Sequence, residues 1–182
     1  MVAFATAEDL ATYIQRDLSA AETATATQAL DIATEMIRGY TRQVLSVDAG
    51  DIVLLDGRGL YLMRLPERPV TALATVKVAG VTLVSTEYQW TEMGFLERVR
   101  GVWPKGRANI EVTYTHGYTT IPEDIRGVTL ELASDLFGGV VGQVAGETLG
   151  PYQYTTQQSN GTSTLSDDHR AILGRYRPVL VG

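Results

Sequence analysis

The feature that most constrains the fold is a change in the spacing of apolar residues across residues 113–126. At the start of this region, Val112 and Tyr114 alternate with polar neighbours, as in a half-buried strand. Gly117 then permits a sharp turn, because glycine adopts positive φ without a steric penalty. Pro122 suits the first position of a helix, where its missing N–H is not needed. The sequence therefore predicts a strand that leads directly into a long helix.

Two further helices are predicted near the start of the chain. Thr6 with Asp9 is a weak capping box for the first, and Ser19 with Glu22 is a full capping box for the second, at about 20–43. The apolar stripe of the second helix is rich in alanine, which favours close packing. Two interpretations stay open for this stripe: packing within the core, or a face between subunits formed by Ala26, Ala29 and Ala33.

Between the helices, the apolar period is two from 51 to 115, which predicts six or seven short antiparallel strands. Turn signals at 56–59, 79–80 and 91–94 each predict a hairpin between the strands that flank them.

The helix at 122–137 is followed by a glycine-containing stretch and then by a C-terminal arm. The arm, 151–182, comprises an extended segment, a polar linker and a short helix that starts at Asp167. The predicted fold class is α+β. A helical core of three to four helices spans 1–150 with an antiparallel β block inserted at about 46–118, and the arm ends in a short helix.

Composition excludes several kinds of chemistry. There are no cysteines and only two histidines, which argues against disulfides, a cysteine nucleophile and a metal site, and no cofactor is expected. The start of the chain lacks the pattern of a signal peptide, and no stretch has the ~18 apolar residues of a membrane span. We therefore expect a protein that is made and assembled in the cytoplasm, without a membrane partner.

Charge is distributed unevenly along the chain. The net charge is −6, and the two predicted helical ends are acidic, whereas the middle is neutral. Because phosphate binding needs clustered lysine and arginine, this distribution argues against a DNA-binding module. It is compatible with a surface past which DNA moves without specific binding.

No constellation of residues indicates catalysis. The acidic pairs 123–124 and 167–168 each lie in the first turn of a predicted helix, where the helix dipole stabilises acids. A small hydrolase would need paired carboxylates from the β block, which supplies Glu87, Glu92, Glu97 and Glu111, and their spacing does not indicate convergence. The residues predict a structural or interaction protein, not an enzyme.

Several strings spread over nearly the whole chain resemble the head-to-tail connector (adaptor) proteins of long-tailed double-stranded DNA phages. They are Thr6–Leu10, Ile37–Arg42, Tyr114–Tyr118 with Ile121–Arg126, Glu147–Tyr152 and Leu165–Arg177. The resemblance implies a structural virion protein of the phage neck, in a ring of about twelve subunits. Its partners would be other copies of itself, the portal protein and the stopper or tail-completion protein, with double-stranded DNA passing through the channel. The alternatives are a stopper or tail-completion protein and, less favoured, the small hydrolase.

The resemblance also suggests roles for particular residues. The C-terminal arm would meet the portal through Arg170, Arg175, Tyr176, Arg177 and Pro178. An acidic channel lining would come from Glu35, Glu131 and Asp135. The turns of the β block, which is larger than in the minimal family pattern, would face the next ring.

Overall fold

The computed structural model describes residues 2–141 and 164–178. The chain forms a helical unit, Met1–Arg42 with Ile121–Arg177, and a β unit whose main segment is Gln43–Thr120. The helices are α1 (Ala7–Tyr13), α2 (Ala20–Thr41), α3 (Glu123–Val141) and α4 (Asp167–Leu173), and a 3₁₀ turn, Gly174–Tyr176, follows α4. The strands are β1 (Asp48–Gly57), β2 (Leu62–Arg64), β3 (Val70–Val78), β4 (Val81–Thr82), β5 (Tyr88–Trp90), β6 (Phe95–Arg98) and β7 (Gly106–His116), with a 3₁₀ turn at Ser85–Glu87. The predicted α+β fold with a short C-terminal helix is confirmed.

In the helical unit, side-chain caps start the helices where the sequence predicts. Thr6 and Asp9 bond reciprocally at the start of α1, and Ser19 and Glu22 do so at the start of α2. α2 packs against α3, and α1 and α4 each contact both. The buried side chains that hold these helices together are Leu10, Leu30, Ile37, Ile125, Leu132 and Leu173. Among the described residues, no helix is both long and apolar enough to cross a membrane.

The described part of the predicted arm packs within the helical unit. Leu173 is fully buried, and α4 contacts α2 and α3. Residues 164–177 are therefore part of the helical unit and not a separate arm. The predicted extended segment and most of the polar linker lie outside the described residues.

The β unit contains two antiparallel sheets. One has the strand order β1-β7-β3-β4, and the other has the order β2-β6-β5. One apolar cluster joins the two sheets, with Leu65, Val70, Val76, Tyr88, Leu96, Trp103, Ile110, Val112 and Tyr114 as its buried members. The described strands number seven, at the upper end of the predicted six or seven.

Two of the three predicted hairpins are confirmed and one is wrong. β3 pairs with β4 through Ala79–Gly80, where both residues have positive φ, and β5 pairs with β6. At 56–59, however, β1 pairs with β7 while β2 pairs with β6. The reason is long-range: the carboxylate of Asp56 accepts a hydrogen bond from the Ala108 N–H at 2.6 Å, which ties the end of β1 to β7. A turn signal at 56–59 is local and carries no information about a hydrogen-bond partner 52 residues later in the chain.

The junction at the end of β7 has the predicted strand, glycine turn and helix, except that Pro122 immediately precedes the helix and does not occupy its first position. Gly117 follows β7 with φ at +88°, and a Cβ there would lie 2.2 Å from the carbonyl oxygen of Ser46. Only glycine fits such a close backbone approach. α3 begins six residues later at Glu123, directly after Pro122.

Candidate functional site

Polar contacts hold the C-terminal helix in the helical unit. The Tyr176 hydroxyl lies 2.7 and 2.9 Å from the two carboxylate oxygens of Asp124, at the start of α3, and donates to that carboxylate. The Tyr40 hydroxyl donates to the Arg170 carbonyl at 3.1 Å. The Arg177 guanidinium lies over the Tyr40 ring, 5.1 Å from its centroid. Residues 170–177 are thus bonded to both long helices.

A histidine completes the cap at the start of α4. The Ser166 hydroxyl accepts from the His169 N–H at 3.1 Å, and His169 Nδ1 accepts from the Ser166 N–H at 3.3 Å. His169 Nε2 lies 3.2 Å from a carboxylate oxygen of Glu131 on α3, without hydrogen-bond alignment. The buried His169 therefore contacts α3 through Glu131 and also caps α4. The spacing Ser166–His169 is that of a capping box with histidine in the acidic position, which sequence analysis did not use.

The five residues predicted to meet the portal differ in exposure. Arg175 is exposed and forms no ion pair with any residue in the described ranges. Arg170 is exposed and pairs with Asp167 at 3.2 Å. Arg177 is exposed over Tyr40, and Tyr176 and Pro178 are half-buried. Tyr176 therefore anchors the subunit's own α4, and the arginines remain the accessible part of this surface.

The three acidic residues predicted to line a channel are all exposed. Glu131 and Asp135 lie one turn apart on α3. Glu35 lies on α2 and pairs with Arg38 at 2.8 Å. The structure therefore brings two of the three together on one helix.

The alanine stripe of α2 faces the interior of the subunit. Ala26, Ala29 and Ala33 are at most 5% exposed. Because these side chains are buried within the subunit, they are not accessible to a neighbouring copy. The stripe therefore fits the interpretation of packing within the core. A subunit–subunit contact on α2 has to use the opposite, exposed face of the helix.

A second polar network, missed at the sequence level, ties α1 to α3. Arg126 binds the carboxylates of Asp9 on α1 and of Glu123 in its own helix. Burial alone raises the pKa of Asp9, but hydrogen bonds from Thr6 and Arg126 outweigh it and hold the pKa below its ordinary value. No sequence signal pairs Arg126 with a residue 117 positions earlier.

Two of the carboxylates considered for a hydrolase, Glu111 and Glu97, lie in different sheets. Glu111 lies in the four-stranded sheet and pairs with Lys77 at 2.6 Å. Glu97 lies in the other sheet, and Glu87 lies 3.7 Å from Arg98. In residues 2–141 and 164–178, no group of three or more histidines and carboxylates could hold a metal ion.

Buried polar rings occupy the end of β7. His116 and Tyr114 lie with ring centroids 5.0 Å apart, and His116 Nε2 is 3.4 Å from a carboxylate oxygen of Asp51. Burial raises the pKa of the Tyr114 hydroxyl well above its ordinary value. Tyr114 is therefore neutral at physiological pH and contributes to the core of the β unit.

Comparisons with known proteins agree with this fold. The head completion protein family matches residues 3–179 of the chain. A chain in the virion of a native gene transfer agent particle is 21% identical, with a TM-score of 0.58 over 90% of this chain and 81% of that one. A chain in the neck of an empty gene transfer agent particle, computed with C6 symmetry, is 21% identical, with a TM-score of 0.57 over 96% and 90%. A chain in the neck of a native particle, computed with C12 symmetry, is 14% identical, with a TM-score of 0.51 over 96% and 88%.

No curated protein matches the chain. The family match nevertheless covers all but a few residues at the two ends, including both units and the anchored C-terminal helix. The chain belongs to the head completion protein family, and it is a structural protein of the virion.

Proposed function

We propose that this protein is a subunit of a ring of about twelve copies in the neck of a phage-like particle. The ring joins the portal vertex of the head to the stopper or tail and extends the channel through which DNA passes. The protein acts by assembly and not by turnover.

The observation that carries this proposal is the fold shared with neck chains over 96% of the chain's length. The two necks were computed with C6 and C12 symmetry. A ring of twelve identical subunits satisfies both symmetries, since every second rotation of a twelvefold ring is a sixfold one.

The charge of the helical unit supports a place beside DNA. Its described residues contain 12 acidic and 7 basic side chains, whereas residues 43–120 contain 8 of each. Negative charge near a duplex weakens adhesion and lets the duplex move. We assign the channel surface to Glu131, Asp135 and Glu35, which are all exposed acidic side chains of the helical unit.

We assign the portal contact to the exposed cations of α4 and of the segment that follows it. Arg175 is the best candidate, since it is exposed and unpaired within the described ranges, and Arg170 and Arg177 flank it. Arginine is common among the residues that contribute most to protein interfaces. Because Leu173 is buried, removal of α4 would disturb the core, so point variants are the appropriate test.

The test is electron microscopy of the purified protein mixed with the portal protein of the same particle. We expect an added annular layer on the portal, with about twelve copies. Arg175→Glu should weaken binding to the portal by about tenfold or more, as loss of a close interfacial charge pair does. Thr82→Glu is the control, because Thr82 is an exposed position on β4 of the β unit.

Absence of any layer on the portal would contradict the proposal. Binding to the tail-side protein alone would instead support the stopper or tail-completion alternative. Equal portal binding by Arg175→Glu and Thr82→Glu would leave the ring in place and move the portal contact away from α4.

A further inference from the structure

Two loops at one end of the β unit form a continuous surface, here called the β tip, which comprises residues 57–61 and 99–107. The Gly59 N–H donates to the Trp103 carbonyl at 3.0 Å, and the Trp103 N–H donates to the Leu60 carbonyl at 2.8 Å. The Arg98 N–H, just before the second loop, donates to the Tyr61 carbonyl at 2.8 Å. The loops are thus held together by backbone hydrogen bonds and present one fixed surface.

The β tip is positively charged. Its two loops contain Arg58, Arg100, Lys105 and Arg107 and no acidic residue. All four cations are exposed, and none forms an ion pair with a residue in the described ranges. In a chain with net charge −6, such a concentration of unpaired cations marks a surface that fits an acidic partner.

The β tip also exposes apolar side chains. Leu60 and Tyr61 are 55% and 57% exposed, and Val99 and Val102 are 46% and 51% exposed. Next to them lies a groove of about 680 Å³ lined by Leu54, Leu60, Tyr61, Met63, Phe95 and Trp103. Exposed apolar groups among cations are typical of protein interfaces, since phosphate binding needs the cations alone.

The chemically complementary surface on this chain is the outer face of α2. Ile32 is 44% exposed, next to Asp31, and Asp31 forms no ion pair within the described ranges. Gln28 precedes them on the same face by one turn, opposite the buried alanine stripe. This face offers what the β tip lacks: an exposed carboxylate beside an exposed apolar side chain.

We propose that the β tip of one subunit docks on the outer face of α2 in the adjacent copy. Such a contact joins two different surfaces of the same chain, and contacts of this kind generate a ring when the rotation between neighbouring subunits closes. The inference rests on the proposed ring and names the contact that builds it. The matching charges also orient the subunits, because two β tips repel each other.

The test is charge exchange in ring assembly on the portal, measured by native mass spectrometry or sedimentation. Arg58→Glu with Arg107→Glu should reduce the assembled fraction at least about tenfold, and Asp31→Arg should do the same. Combining all three substitutions in one chain places opposite charges at every contact again and should restore most of the assembly. Circular dichroism checks that each variant is folded.

A matched control uses neutralising variants. Arg58→Gln with Arg107→Gln and Thr82→Glu with Gln89→Glu each lower the net charge by two, and Thr82 and Gln89 are exposed outside the β tip. We expect the first pair to impair assembly and the second to leave it unchanged. The inference would be overturned if the two pairs of variants had the same assembled fraction, or if Asp31→Arg assembled normally.

The possible failures are distinguishable. If the wild-type chain forms no ring on the portal, the proposed function itself fails and this contact fails with it. If rings form normally in the Arg58→Gln, Arg107→Gln variant while its affinity for duplex DNA falls, the β tip contacts DNA. That result would overturn the inference and leave the ring intact.

Discussion

The helical unit and the β unit are stabilised in different ways. In the helical unit, polar contacts at helix ends join helices that also share an apolar core: Tyr176 with Asp124, and Arg126 with Asp9. In the β unit, Trp103 and Tyr114 fill an apolar cluster between two sheets. The helical unit also carries the net negative charge, whereas the β unit is balanced and concentrates exposed cations at the β tip. The difference teaches that local caps start the helices of one unit while polar contacts between distant residues join them, whereas the sheets of the other unit are joined by apolar packing.

The largest expected effect concerns the core of the β unit. Trp103 is 1% exposed and Trp90 is 36% exposed. Trp103→Ala should lower the free energy of unfolding of the β unit by about 3–5 kcal/mol, since it leaves a large cavity. Trp90→Ala is the control and should lower the free energy of unfolding by a smaller amount. Hydrogen exchange read by mass spectrometry should rise in 43–120 for Trp103→Ala, and similar exchange in the two variants would contradict the assignment of the core.

The two units should respond in opposite directions to the same glycine-to-alanine change. Gly117→Ala should destabilise by more than about 2 kcal/mol, because φ is positive and the new Cβ would meet the Ser46 backbone. Gly39 lies in α2 with open space around it, so Gly39→Ala should stabilise by about 0.5–1 kcal/mol. Urea unfolding of both variants measures the pair. If both substitutions changed the free energy of unfolding in the same direction, the contrast between the helical Gly39 and the turn at Gly117 would be contradicted.

The smallest effect is a pH dependence at the start of α2. The hydrogen bond from Arg16, followed by those from Ser19, lowers the pKa of Glu22 to about 2. Because this pKa is below that of the unfolded chain, the stabilisation is complete above about pH 4.5 and is lost as pH falls through about 2. An NMR titration of the Glu22 carboxyl carbon measures the midpoint.

The matched variant for this titration is Arg16→Gln. It removes the largest cause of the shift and should move the midpoint of Glu22 upward toward 4.5. A wild-type midpoint already near 4.5 would contradict the Arg16–Glu22 contact seen at 2.7 Å.

Sequence reasoning succeeded where the physical cause is local. The capping pairs Thr6–Asp9 and Ser19–Glu22, the turn at Ala79–Gly80 and the glycine at 117 all depend on neighbouring residues. These signals were sufficient for the fold class.

Sequence reasoning failed where the residue that forms the contact is distant in the chain. The 56–59 turn joins β1 and β2 in sequence, yet the two strands belong to different sheets, because Asp56 bonds to Ala108. The anchoring of Tyr176 by Asp124 spans 52 positions and made a predicted interface residue part of the subunit's own structure. The cations of the β tip lie on two loops, 57–61 and 99–107, so their proximity appears only in the folded β unit.

The most direct test is a cryo-electron microscopy reconstruction of the neck of the intact particle, calculated without imposed symmetry. We expect a ring of about twelve copies of this chain around the DNA channel, between the portal and the tail-side protein. In that ring the acidic residues Glu131 and Asp135 should face the channel. A single copy, or a position elsewhere in the virion, would contradict the proposed function.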